Sequence, residues 1–238
     1  MKAFLPLAFA VGLLAVGSGC QDDWQSFFVH DNKRLGEPPG CEIPTEASAA
    51  GLLGGLLDTD VSTSYAAYLF VENGMISRAD PGLPRAESNG IFVQGAYLYY
   101  EPDPACPGSY PSQEVRFSNY IAPGGTATVG IWVIPPSVGQ AMAETLAGCA
   151  NGRLDVTVTI QMFGVTQAGT DMLTQEFDYP ISVCAGCLIF CPTGIDLDPV
   201  ADGCQCDCMN TEVELAEMPC HPGQDDYLDC RLSPECVR

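Results

Sequence analysis

Residues 153 to 162, RLDVTVTIQM, alternate strictly: Leu154, Val156, Val158, Ile160 and Met162 share one parity, and Arg153, Asp155, Thr157, Thr159 and Gln161 the other. A period of two with one apolar set predicts a strand with a core face and a solvent face. Residues 64 to 75 are apolar on both parities, as in a strand covered on both sides. Residues 90 to 101 form an aromatic strand closed by a Pro-rich loop over 102 to 111, and Val115, Phe117 and Asn119 mark a shorter one. In residues 126 to 134, Ala127, Val129, Ile131 and Val133 share a face until Pro135-Pro136 stops the run; Ser137 and Gln140 then have capping-box spacing, predicting a short helix over 138 to 146. Residues 172 to 183 return as the partner of 153 to 162 across a turn at Gly169-Thr170, with Pro180 predicting an edge or bulge position. Asn73-Gly74 and Pro123-Gly124-Gly125 are further turn signals. With one more strand near Ile43 or Val61, about seven strands result. The pattern predicts an all-β fold, a β-sandwich of immunoglobulin-like type over residues 41 to 183. No sustained 3.6 period supports an α/β fold.

The pattern changes on either side of that body. Residues 184 to 238 hold nine cysteines (Cys184, Cys187, Cys191, Cys204, Cys206, Cys208, Cys220, Cys230 and Cys236) and almost no apolar periodicity, so disulfides are expected to supply what a core cannot. This predicts a small, irregular, acidic C-terminal module. Residues 20 to 40 carry Asp22, Asp23 and Pro38-Pro39-Gly40 and read as a tether, from which Trp24, Phe27 and Phe28 are placed to dock on the body.

The beginning of the chain sets the address. Lys2 precedes an apolar run from Ala3 to Val16, then Gly17, Ser18, Gly19 and Cys20: a charged region, an apolar core too short to span a bilayer, and a processing site. Here the chain resembles a bacterial lipoprotein precursor, although Gly17 stands where such sequences usually carry Leu. The resemblance implies that residues 1 to 19 are a signal peptide and that Cys20 becomes the acylated N-terminus. The cysteine motifs VCAGCL (183 to 188) and PCHPGQDD (219 to 226) also resemble the ends of uncharacterised cysteine-rich predicted lipoproteins of myxobacterial type, which implies an extracytoplasmic lipoprotein and no particular activity. Gln21 in place of an aspartate is compatible with outer-membrane sorting, so an outer-membrane lipid anchor is the expectation.

That address changes how the cysteines are read. Thirteen is odd for an oxidising compartment, and acylation of Cys20 leaves twelve free to pair as up to six disulfides. Three of them (Cys41, Cys106, Cys149) lie in the body and nine in the tail. Both numbers are odd, so if all pair, at least one bridge crosses between body and tail. Cys184, at the end of the last strand, is the natural crossing point, with Cys41 or Cys149 as partner; Cys204, Cys206 and Cys208 alternate sides and should seek separate partners. The same address disfavours zinc at Cys184-x2-Cys187 and Cys204-x-Cys206-x-Cys208, and Cys184-x2-Cys187 lacks the βαβ setting of a redox pair.

Nine basic against thirty acidic residues give a net charge of −21, which repels nucleic acid and anionic lipid headgroups. Charged residues are only 16% of the chain and hydrophobic ones 47%, which marks a folded protein. No G-x-S-x-G, H-E-x-x-H or phosphate loop occurs, and the two imidazoles, His30 and His221, fall in the tether and between Cys220 and Pro222. Asp155 and Glu176 lie on solvated faces. Asp196, Asp198 and Asp202-Gly203 cluster without the spacing of a calcium loop. Tyr97, Tyr99, Tyr100 and Tyr110 could form an aromatic surface for glycan or peptide, strand packing being the more ordinary use of the first three. No catalytic, cofactor or metal site is therefore assigned. The expectation is a lipid-anchored, non-catalytic envelope protein for binding, structure or adhesion, with an envelope protein or glycan as partner. Its rivals are an extracytoplasmic hydrolase using paired carboxylates and a Ca²⁺-binding module.

Overall fold

A computed structural model describes residues 26–77, 87–190 and 218–232. Cys20, Trp24, Cys191, Cys204, Cys206, Cys208, Cys236 and the Asp196, Asp198, Asp202 cluster lie outside the described residues. The fold is an all-β sandwich. Its strands are β1 (Phe27–Lys33), β2 (Gly51–Leu52), β3 (Gly55–Asp58), β4 (Tyr65–Asn73), β5 (Ile91–Pro102), β6 (Gln113–Ile121), β7 (Thr126–Ile134), β8 (Arg153–Thr166), β9 (Asp171–Leu173), β10 (Phe177–Cys184), β11 (Ile189–Phe190) and β12 (Leu228–Asp229). Among the described residues one α-helix, α1 (Pro136–Leu146), joins β7 to β8, and a short 3-10 helix spans Cys230–Leu232.

One sheet runs β2-β1-β4-β7; the other runs β3-β10-β8-β5-β6, with β9 paired to β8; β11 and β12 form a small third sheet. The two large sheets share one core. Leu69, Val71, Ile131 and Val133 come from the first, and Leu98, Val156, Val158, Ile160 and Ile181 from the second. All five inward residues read from the alternation of β8 are buried. β4 is buried on both faces, as its double parity requires. The Pro123-Gly124-Gly125 turn forms, with Gly124 at φ 65° and the Gly125 N–H donating to the Ala122 carbonyl at 2.9 Å, and it carries the chain from one sheet to the other.

Several local expectations are corrected. The stretch read as a tether contains β1, which pairs with β4 from Phe27 opposite Asn73 to Asn32 opposite Leu69. Its polar look is misleading, because a register shift between Val29 and Asp31 brings Asn32 opposite Leu69 on the core side, while Lys33, on the other face, is buried against Phe70 and the loop that carries Ala47 and Ala49. Lys33 is fully buried and satisfied: its ammonium donates to Asp31 at 2.9 Å and to the carbonyls of Ala47 and Ala49 at 2.8 and 2.9 Å, and it lies over the Phe70 ring. No strand forms at Ile43 or Val61; the strands lie between them, at β2 and β3. β10 is not an edge strand, being flanked by β8 and β3, but its parallel pairing with β3 begins only at Ile181 opposite Gly55. Pro180 therefore sits where β3 has not yet started, and its missing N–H removes no bond to it. The capping box does not form either: α1 starts at Pro136 after Pro135 with no side-chain cap, and Ser137 is already inside the helix.

The described part of the tail is built into the sandwich. Cys41 is bonded to Cys220, Cys106 to Cys149 and Cys184 to Cys187, and Cys230 is also disulfide-bonded. A bridge does cross from body to tail, and it is Cys41–Cys220. Cys184 is not the crossing point, because its turn folds back within three residues to bring Cys187 alongside.

Candidate functional site

The four tyrosines nominated from the sequence divide by strand parity. Tyr100 points inward, its hydroxyl donating to the Val133 carbonyl at 3.0 Å, and Tyr110 packs edge-on against it and is buried. Tyr97 and Tyr99 point outward from the six-stranded sheet. They are joined there by aromatic residues that sequence reading missed. Phe92 pairs with Tyr120 across β5 and β6 at 5.1 Å between ring centroids. Tyr97 stacks on Phe163 of β8 at 4.7 Å, with the Arg116 guanidinium over the Phe163 ring at 4.8 Å.

A bulge makes this row possible. Val93 faces Gly164 and Gly95 faces Phe163, so β5 spends one extra residue there and shifts its parity. Phe92 before the bulge and Tyr97 after it, five positions apart, consequently share the outer face. Gly95 is required at the kink, since a Cβ there would meet the Val115 carbonyl and the Phe163 ring. Phe92, Tyr99 and Tyr120 remain 43%, 46% and 43% open to solvent. Polar side chains stand beside the rings on β8: Gln161 opposite Tyr97, and Thr159 opposite Tyr99. Thr159 is oriented by Asp178, to which it donates at 2.7 Å. One end of the face opens into a shallow depression lined by Glu101, Asp103, Asp155, Thr157, Pro180 and Ser182, among others.

The ionisable groups weighed as a hydrolytic site stay apart in role. Asp155 accepts hydrogen bonds from Ser182 and Arg153, which hold its carboxyl below the usual carboxylate range. Such a group is poorly suited to be the proton donor of a glycosidase pair. Glu176 is exposed. His30 is paired with Glu72 at 2.7 Å on the surface of the four-stranded sheet. The His221 Nε2 meets the Tyr68 hydroxyl at 2.5 Å with the two rings stacked, and Trp132 stands edge-on to the imidazole. Burial lowers the His221 pKa, which favours the neutral ring.

His221 borders a narrow cleft at the seam between body and tail, lined also by Asn32, Arg34, Tyr68, Gln224 and Asp225. Its floor is a polar lock. The Gln224 amide accepts from the Ala66 N–H at 2.9 Å and donates to the Ala66 carbonyl at 2.6 Å, so a side chain replaces a neighbouring strand. Asp225, at φ 59°, accepts from the Leu56 N–H at 2.8 Å and the Tyr65 hydroxyl at 2.7 Å, and the Tyr65 hydroxyl lies 3.0 Å from that of Tyr179. β3, β4 and β10 are thereby tied by two tail residues. Both Asp225 oxygens are engaged internally, which makes the group structural.

Cys184, Cys187 and Asp58 bring two sulfurs and a carboxylate within 4.8 Å of one another. The sulfurs are bonded to each other and carry no thiolate charge, so in this state the trio offers a cation only the carboxylate. Asp58 is instead occupied by the turn, accepting from the N–H groups of Gly186 and Leu188 at 2.7 and 2.8 Å. Among the described residues, no helix is long and apolar enough to cross a membrane. No family model, no curated protein and no solved structure matches the chain.

Proposed function

We propose that this chain is a lipid-anchored, non-catalytic protein of the bacterial cell envelope, held in the outer membrane through Cys20, that binds neutral glycan on the outer face of its six-stranded sheet. The observation that carries the binding reading is the row of three solvent-open rings, Phe92, Tyr99 and Tyr120, on one rigid sheet face. The C–H face of a sugar ring is apolar and slightly positive, and it stacks on the negative face of an aromatic ring. Hydroxyl edges need donors and acceptors beside that platform, and Gln161 and Thr159 stand there. A net charge of −21 disfavours acidic polymers, which leaves neutral saccharides.

Removing two of the rings, in a Tyr99→Ala and Tyr120→Ala double variant, should lower retention on neutral cell-wall or capsular polysaccharide about tenfold, one tenfold step being about 1.4 kcal/mol of binding. Because both rings are half open, the thermal midpoint should move little. Unchanged retention would remove the face from the mechanism. The anchor has its own test: Cys20→Ala should shift the protein from the membrane fraction to the soluble one, and intact mass of the extracted wild type should show acyl chains on Cys20. An unmodified Cys20 in the membrane form would end that part of the reading.

A further inference from the structure

We infer that Cys184–Cys187 is a dithiol–disulfide exchange site, able to take two electrons from an external dithiol while the fold and the other bridges stay intact. Three independent features carry this. The first is access. Among the described cysteines Cys187 alone is exposed; Cys184, Cys106 and Cys230 are buried, and Cys41, Cys149 and Cys220 are half-buried. An attacking thiolate therefore reaches one sulfur of this pair and not the other, which fixes the direction of attack.

The second feature is that the bond constrains little else. It joins residues 3 apart in sequence, against 43 for Cys106–Cys149 and 179 for Cys41–Cys220. Opening it releases less chain entropy than opening either of those two. The third feature is a turn held without the sulfurs. Asp58 is fully buried and accepts from Gly186 and Leu188, and Cys184 is fixed by its carbonyl, which accepts from the Thr59 N–H at 2.8 Å and the Thr59 hydroxyl at 2.9 Å. Gly186, at φ 70°, allows the chain to reverse there. When the S–S bond opens, this frame keeps both sulfurs close enough to re-form it.

The step balances as an ordinary exchange. A thiolate of the donor attacks the Cys187 sulfur, a new S–S bond forms to the donor, and the Cys184–Cys187 bond breaks with its electron pair on the Cys184 sulfur, which takes a proton from water. The donor's second thiol, losing its proton, then displaces Cys187. The donor leaves as a disulfide and the pair is left as two thiols.

The test uses the full-length, membrane-extracted protein in native buffer with graded dithiothreitol, followed by alkylation and localisation of the label by fragmentation mass spectrometry. Cys184 and Cys187 should be labelled at about tenfold lower reductant than Cys41, Cys220, Cys106 and Cys149. Opening of Cys184–Cys187 together with, or after, Cys41–Cys220 would overturn the proposal. Single variants test the direction of attack. In folded Cys184→Ser, glutathione disulfide should place a glutathione on Cys187, whereas in Cys187→Ser the buried Cys184 should react at least about tenfold more slowly. Equal rates would overturn it as well. Should a variant fail to fold, the order of opening in the wild type decides the matter.

Discussion

Replacing both Cys41 and Cys220 by alanine should lower the unfolding free energy by about 4 to 5 kcal/mol, the largest loss expected from any of Cys41–Cys220, Cys106–Cys149 and Cys184–Cys187. The bond spans 179 residues, against 43 for Cys106–Cys149 and 3 for Cys184–Cys187, so its absence returns more loop-closure entropy to the unfolded state than loss of either of those. It also holds two surface segments together. Cys41 belongs to the loop that ends β1, where Ala47 and Ala49 supply acceptors to buried Lys33, and Cys220 leads into Gln224 and Asp225. Loss of the bond should first free residues 218–232, visible as faster proteolysis there before the sandwich melts. Denaturant titration and limited proteolysis of the double variant check this. A wild-type midpoint would mean that the polar lock alone holds the tail.

The parts of this fold that could be read in advance are those where burial imposes a period on side chains. In β8 every second residue is apolar because one face meets the core, and β4 is apolar throughout because both faces are covered. What could not be read is held by backbone and by single polar side chains, which leave no period. β1 looked like a tether because Asp31, Asn32 and Lys33 suggest solvent, and only the partners on other segments make them a buried end. β2 and β3 lie in a Gly-Leu-rich stretch with no alternation, and β3 gains its place by pairing with β10 and by bonds to Gly223 and Asp225. Residues 219 to 226 read as cysteine spacing, although Gln224 and Asp225 do more to join tail and body. Cysteine parity required a bridge between the two if all twelve pair within one chain, but parity cannot name the partners. The aromatic face was half legible: Tyr97 and Tyr99 were named for an aromatic surface, with strand packing as their more ordinary use, while Phe92 was hidden by the parity shift at Gly95.

Asp225→Ala should destabilise the protein by about 3 kcal/mol, whereas Asp225→Asn should cost little at neutral pH, and this difference identifies what the lock uses. Alanine leaves the Leu56 N–H and one bond of the Tyr65 hydroxyl without an acceptor in a part-buried setting, each such loss costing about 1 to 3 kcal/mol where water cannot replace it. Asparagine keeps a carbonyl oxygen for one of those donors and tolerates the left-handed backbone that residue 225 adopts, at φ 59°. Charge adds a pH dependence whose sign is opposite to that of an ordinary paired carboxylate. Burial raises the Asp225 pKa more than its hydrogen bonds lower it, with Asp226 adding to the rise, so the folded state takes up the proton more readily than the unfolded chain does. The contribution of this group to stability is therefore complete below the unfolded carboxyl pKa and is lost as the pH rises through the higher folded value. Acidification from neutral pH should thus relieve a cost at Asp225, and the Tyr65 hydroxyl stays protonated throughout because burial and Asp225 itself hold its pKa far above neutrality. Comparing the two proteins by denaturant midpoint between pH 7 and pH 4, the difference between wild type and Asp225→Asn should move in favour of the wild type as the pH falls. Comparison with Asn at each pH cancels the titration of the other carboxylates. A difference that stays constant, or moves the other way, would mean that the buried carboxylate is stabilised by its donors as an anion and that the lock works through charge-assisted bonds instead.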